Sequence, residues 1–366
     1  MRRYHTLDGI RGVAAIFVVI GHAHDTLSPL GVPRFWLAVD LFFLISGFVL
    51  GQVYEPRIRA GMTVLQFMRN RYIRLYPLYI VGLLVGAASA LATMLVGHGA
   101  LGPVSFIIAL LSGVLLLPSP TWTVSQDVMP LNFPGWSLFF ELVANLLMVL
   151  VGQRLTDRLV LAIITVSGLV LLGGTFVGSP FGGESWPTFF WGFPRIGFSF
   201  FLGLLIQRRH WGRHRRTHLA WLVIAAPVVV MSLAPAQGGA LLDIAMLVAI
   251  APAIVWVGAN VEPRNATLFT WLGDVSYPVY VLHIPILSII WRVGLFYHHP
   301  VQEYAPALGV GYLIVTLAVS WLLDRYYDRP VRRAWLREVP RPSPRRGGSA
   351  STGRSQQSIR MAPGQD

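Results

Sequence analysis

Eleven apolar runs recur along this chain, near residues 10–27, 37–54, 75–96, 104–118, 136–152, 158–177, 189–206, 219–235, 240–258, 275–294 and 305–324. The breaks between them hold Pro, Gly or clusters of Arg. A helix gains about 1.5 Å per residue, so a run of about 18 or more apolar residues spans a hydrocarbon layer of about 30 Å. Inside lipid the backbone must satisfy its own hydrogen bonds, which leaves only helices or closed barrels, and long unbroken runs without alternation select helices. The expected fold class is therefore all-α, a polytopic membrane bundle. Residues 1–338 are expected to form one transmembrane domain, because 54% apolar and 12% charged residues leave no separate soluble unit of ordinary size. The first run lacks the small-residue cleavage site of a secretory signal and carries Asp8, Arg11 and His22, so it reads as a retained helix.

The charge is carried by Arg alone, since the chain has no Lys, and totals a formal +13. Its clusters flank the apolar runs, as positive-inside anchoring requires, and no nucleic-acid-binding module accompanies them. Arg2 and Arg3, the five Arg of residues 57–74, the five of 207–218 and the basic tail all belong on the cytoplasmic side. Eleven full crossings cannot satisfy that placement. The run at 104–118 is the shortest, so it is expected to be re-entrant or partial, leaving about ten crossings with both termini cytoplasmic. The same parity puts the Arg-free stretch 121–135 outside, with Glu141 a few residues below the outer surface and level with His22. The tail at 339–366, rich in Pro, Gly, Ser and Arg, is expected to be disordered and to contact anionic lipid headgroups or nothing. Cysteine is absent, which excludes disulfides, thiolate nucleophiles, Cys-ligated zinc and iron–sulfur clusters.

Ionisable residues inside membrane helices are expensive and are functional candidates by default. Arg11 and His22 stand eleven positions apart at the two ends of one apolar run, roughly 16 Å along a helix axis. His22 and His24 face different sides of a helix, so a shared metal is not expected, and none is expected elsewhere. Asp40 near the start of the second run, and Ser46 with Gly47 midway, read either as a helix interface or as a substrate contact. Arg69, Arg71 and Arg74 enter a segment that continues into a membrane helix; they suit either phosphate binding or plain anchoring. Trp122, Trp136 and Trp186 border the outer loops, as interfacial anchors or as sugar-stacking surfaces.

Five motifs in order resemble the acyltransferase-3 family of membrane O-acyltransferases. They are the Arg11-to-His22 spacing, FF-x-x-SGF at Phe42 to Phe48, R-x-x-R at Arg71 and Arg74 ahead of Pro77, WSL-x-x-E at Trp136 to Glu141, and SYPVYVLHIP around His283. The resemblance runs from about residue 4 to 335. It implies transfer of an acyl group, most simply acetyl, from cytoplasmic acyl-CoA to a hydroxyl of an exported glycan, glycolipid or glycosylated small molecule, in a bacterial inner membrane. It implies an essential His22 and a donor held by Arg71 and Arg74, with Arg69 and Arg11 beside them. A neutral imidazole is suited to take the hydroxyl proton, which makes His22 the expected base. Glu141 is expected to orient that imidazole or else to pair with another buried cation, and His283 either to line the donor channel or to be a packed, hydrogen-bonded histidine. One feature departs from the family pattern, the basic segment reading Arg69-Asn70-Arg71 where adjacent basic residues are common; a stand-alone membrane domain without a hydrolase-like partner is the expectation. The competing reading is a transporter or flippase of a lipid-linked sugar, against which stands the lack of an internal repeat.

Overall fold

The computed structural model describes residues 3–27, 32–97, 99, 101–122, 124–178, 180–210, 215–232, 239–296 and 304–337. The chain is a helical bundle, and the apolar runs become its helices: α1 (His5–His22), α2 (His24–Leu27), α3 (Leu37–Arg59), α4 (Val64–Leu95), α5 (Pro103–Val114), α6 (Gly135–Val151), α7 (Asp157–Val177), α8 (Gly192–Arg209), α9 (Leu219–Ser232), α10 (Gly239–Ala245), α11 (Ala251–Asn260), α12 (Thr267–Phe296), α13 (Ala307–Leu323) and α14 (Arg329–Arg337). A π turn at Met246–Ile250 joins α10 to α11, and another at Asp324–Asp328 joins α13 to α14. A two-residue parallel pair, β1 (Arg215–Arg216) with β2 (Val261–Glu262), ties two helix ends together. The expected tail at 339–366 lies outside the described residues.

Eight described helices are long and apolar enough to cross a membrane. The other three runs fold as α1, which carries Asp8 and Arg11, and as the shorter α5 and α9. With 12 residues, α5 reaches only about 18 Å, well short of the hydrocarbon layer, as the charge distribution requires of the run at 104–118. Besides α1, which starts at His5 rather than near 10, two helices begin earlier than the apolar runs alone suggest. The start of α4 is at Val64 because Thr63 and Gln66 form a reciprocal cap, Thr63 Oγ1 accepting from the Gln66 amide at 3.2 Å and Gln66 Oε1 from the Thr63 amide at 3.0 Å. The arginine motif thereby rides on the first turns of a rigid helix. The start of α12 is at Thr267 rather than near 275, where Asn265 Oδ1 accepts from the Thr267 amide at 2.9 Å.

The centre of the bundle is α1, packed along α12 and also against α9, while α3 lies along α8 and α4 against α12. Glycine sets the α3–α8 approach. A Cβ on Gly47 would stand 1.9 Å from the Phe200 carbonyl oxygen, and one on Gly203 would stand 1.9 Å from that of Leu44. The small residues of the second run are therefore a backbone-to-backbone contact. One end of the bundle gathers the N-termini of α1, α4 and α12, the C-termini of α3 and α8, and α14: Arg3 bridges Asp8 and Asp274, Arg208 bridges Glu55 and Asp157, and Arg329 bridges Asp274 and Asp324. This is the basic end.

Candidate active site

A cavity of about 160 Å³ opens inside the bundle between α1, α3, α4, α6 and α12. Its polar lining includes Arg11, Ser46, Arg71, Arg74, Ser137 and Glu141, with Ser276, Tyr277 and Tyr280 from α12. Arg71 and Arg74 share a wall because residues three apart lie on one helix face. One oxygen of Glu141 accepts from Arg71 Nη2 at 2.6 Å and from Ser46 Oγ at 2.6 Å. Among the described residues, neither Arg11 nor Arg74 has a carboxylate within ion-pair distance; Arg74 lies over the Tyr277 ring at 5.7 Å. Three guanidiniums therefore face one carboxylate, an arrangement with excess positive charge and many unused N–H donors.

A second cavity, of about 370 Å³, lies toward the other end and holds His22, Glu184, Arg195 and His283 between Phe35, Phe133 and Trp136. His22 Nδ1 is 2.9 Å from the Val18 carbonyl and His283 Nδ1 is 2.7 Å from the Tyr280 carbonyl. Carbonyls only accept, so the proton of each imidazole sits on Nδ1 and each Nε2 carries the lone pair. His283 Nε2 then faces His22 Nδ1 at 3.4 Å, the rings tilted with centroids 5.0 Å apart. The contact fixes the His22 ring and leaves His22 Nε2 as the basic nitrogen.

The two cavities share Val39 and Tyr280. Ser137 Oγ is 3.1 Å from the Pro134 carbonyl and 2.7 Å from the Tyr280 hydroxyl. Since the carbonyl takes the serine proton, Tyr280 donates to Ser137, and this bond holds the phenol across the boundary. Tyr280 also carries the carbonyl that seats His283, so one residue touches both halves of the site.

The structure redistributes several expected partnerships. Glu141 meets Arg71 and Ser46, not His22, because the segment before α6 descends into the bundle instead of staying at the surface. Val128, Met129, Leu131 and Asn132 are buried there, and Asn132 Nδ2 donates to the Tyr79 carbonyl at 3.4 Å. From that sunken start, Trp136 reaches the histidine cavity, and Glu141 lies about 7.5 Å further along the axis, in the arginine cavity. Arg11 also belongs to the arginine cavity, a helix length away from His22. His283 stands beside His22 and not among the arginines. Arg69 is exposed and lines neither cavity; two residues before Arg71, it points about 200° away around the helix.

Asp40 does not line either cavity. Both its oxygens accept from Arg195, at 3.2 and 2.7 Å, and each side chain is 1% exposed. Arg195 Nη1 also donates to the Gly182 carbonyl at 2.8 Å, and its guanidinium lies 5.4 Å from the Trp136 ring centroid. The pair thus fastens α3, α8 and the 181–184 segment around Trp136. Trp122 and Trp186 pack edge-on against each other at 5.5 Å, with the Trp186 indole donating to the Ser119 carbonyl. Sequence reasoning missed Glu184 and Tyr280. Glu184 is held over the histidine cavity by backbone bonds, its carbonyl accepting from the Val128 amide at 3.0 Å and the Trp186 amide donating to Gln126 at 2.7 Å. An acid in an Arg-free loop was the available signal. Among the described residues, no three His, Asp or Glu are grouped to hold a metal ion.

Residues 4–325 match the family described as an acyltransferase domain. The chain belongs to the acyltransferase-3 family. The match runs from α1 into the turn after α13 and so includes both cavities. "Protein 2 in picA locus" of Rhizobium radiobacter is 37% identical over 179 residues, spanning 93% of that protein and 46% of this acyltransferase. No solved structure matches the chain. The apolar helices and the family together make this an integral membrane acyltransferase.

Proposed function

We propose that this acyltransferase moves an acyl group, acetyl in the simplest case, from acyl-CoA to a hydroxyl of a glycan, glycolipid or glycosylated small molecule. The observation that carries the reading is the joined pair of cavities: an arginine cavity with three guanidiniums on its wall to one carboxylate meets, across Tyr280, a cavity holding two histidines in contact. Uncompensated arginines suit the phosphate oxygens of a nucleotide thioester. The aromatic walls beside Glu184 suit one sugar ring with its hydroxyls. Glu141 keeps Arg71 in place, and Ser46 keeps Glu141 in place.

In this reading the acceptor oxygen attacks the thioester carbonyl while His22 Nε2 takes the hydroxyl proton. The carbon–sulfur bond then breaks, CoA leaves as the thiolate, and the His22 proton neutralises it, so the imidazole returns to its starting form. The hydrogen bond of the Val18 carbonyl to Nδ1–H supports the imidazolium as it forms. The basic end faces the cytoplasm of a bacterial inner membrane and both chain termini lie on that side, consistent with the placement of Arg. Membrane lipids surround the bundle.

The test is transfer of label from radiolabelled acetyl-CoA to a glycan fraction by the purified protein and its His22→Ala variant. Label in the acceptor with wild type, lost with the variant while donor still binds, supports the assignment. Equal label with both would remove His22 as the base. Donor binding without transfer to any hydroxyl acceptor would remove the proposed reaction.

A further inference from the structure

A third cavity, of about 540 Å³, lies at the basic end and shares Val49, Leu50, Arg71 and Arg74 with the arginine cavity. Four further arginines line it: Arg57 on the last turn of α3, and Arg329, Arg332 and Arg333 on α14. None belongs to the R-x-x-R motif. The three on α14 lie beyond residue 325, where the family match stops. The helix reaches this position because the π turn at Asp324–Asp328 carries α13 straight into it, and carboxylates of that turn hold it there. Arg329 bridges Asp324 at 2.6 Å and Asp274 at 2.9 Å, and Arg332 bridges Asp328 at 2.5 Å.

Those acids offset Arg329, Arg332 and, through Asp328, part of the charge of Arg74, and leave Arg57 and Arg333 standing. Arg57, Arg74 and Arg333 have no carboxylate within ion-pair distance among the described residues; Arg57 stacks 5.5 Å from the Tyr54 ring centroid. Ordinary anchoring needs arginines that point to headgroups around the bundle. These arginines converge on one concave space that continues into the arginine cavity through Arg71 and Arg74. A compact dianion fits the two uncompensated guanidiniums of Arg57 and Arg333 better than a single negative charge does, and a phosphomonoester carries about −1.5 to −2 at neutral pH.

We infer that Arg57 and Arg333, with α14 behind them, form a second anion subsite that takes the phosphomonoester on the ribose of the donor nucleotide. The inference rests on the acyl-CoA reading and divides the donor: its diphosphate and thioester arm run past Arg71 and Arg74, and its 3′-phosphate stays at the mouth. The same chemistry is offered by an anionic lipid headgroup, so the experiment separates the two sources.

Affinities of CoA and of 3′-dephospho-CoA are measured for the full chain in nanodiscs of phosphatidylcholine, and again with phosphatidylglycerol included, for wild type and for Arg57→Gln/Arg333→Gln. Wild type is expected to bind CoA about tenfold or more tighter than the dephospho form, the discrimination expected of charge-assisted bonds to one phosphate. In the double variant that ratio is expected to fall to about one while dephospho-CoA affinity stays unchanged, which also shows that the variant is folded. Equal binding of both nucleotides by wild type overturns the subsite and leaves the donor reading standing. A ratio that survives in the double variant overturns it too, by putting the 3′-phosphate elsewhere. A ratio that appears only without phosphatidylglycerol and is abolished with it assigns the subsite to lipid and overturns the donor assignment. If neither nucleotide binds wild type, the acyl-CoA reading itself falls.

Discussion

Replacing Asp40 separates two roles that the sequence left equal, substrate contact and buried fastener. In the structure both carboxylate oxygens are bonded to Arg195 and both side chains are 1% exposed. Asp40→Ala therefore leaves a buried guanidinium with the Gly182 and Trp36 carbonyls as its remaining hydrogen-bond partners, the aromatic rings around it and Glu184 across the cavity. Breaking one side of a buried pair costs about 3–5 kcal/mol, which is roughly 10²- to 4×10³-fold in the unfolding equilibrium at about 1.4 kcal/mol per factor of ten. The pair can be exchanged for apolar side chains with much less loss, because desolvation then disappears with the charges. Asp40→Leu/Arg195→Met is accordingly expected to be more stable than Asp40→Ala alone. Equilibrium unfolding in mixed detergent micelles reads the stabilities, and CoA affinity of the folded fraction is measured beside them. Donor affinity should not change, since Asp40 does not line the arginine cavity. A folded Asp40→Ala protein of wild-type stability that requires far more acceptor to reach half its rate would refute the reasoning and restore a substrate role.

Tyr280→Ala removes the phenol that separates the cavities and is expected to admit longer acyl chains, read as a shift in the ratio of octanoyl to acetyl transfer; Tyr280→Phe, which loses only the bond to Ser137, should shift that ratio less. An unchanged ratio in Tyr280→Ala would show that the boundary lies elsewhere. Glu141→Gln is expected to weaken CoA binding about tenfold or more, because a charge-assisted bond to Arg71 becomes a neutral one, and Ser46→Ala by less; a rate defect at unchanged donor affinity would return Glu141 to the histidine. Burial, then the nearby charge of Glu184, raises the Asp127 carboxyl above its ordinary value of 3.8. A raised carboxyl contributes stability in its protonated form, fully present below 3.8 and lost as pH rises through the raised value. Asp127→Asn should therefore melt higher than wild type at pH 7, with the gap closing as pH falls through the raised value toward 3.8; a gap independent of pH would rule the carboxyl out as its source.

All eleven apolar runs are helices, and the residues of the five motifs line or support the two cavities, except for Arg69, which only flanks its motif. Arg71 with Arg74 was legible because helical periodicity alone puts positions three apart on one face, and the same periodicity turns Arg69 away. Asp40 was ambiguous because its partner lies 155 positions later, and nothing local to either residue records the other. Glu141 was set beside His22 because loop charge assigns sides of a membrane and says nothing about how far a loop sinks between helices.

By itself the sequence determined what depends on chain-local quantities: helical spans from the length of apolar runs, a short partial helix from its deficit, a basic end from Arg clustering, and a set of ionisable residues that lipid would not tolerate without purpose. Tertiary structure alone decided which of those residues meet. It put His283 against His22, gave Glu141 to Arg71, tied Asp40 to Arg195 and laid Tyr280 between the cavities. Each of these contacts joins helices distant in the chain. They depend on how glycine-lined helix faces approach and how deep the loop before α6 descends, and both are set by packing of the whole bundle.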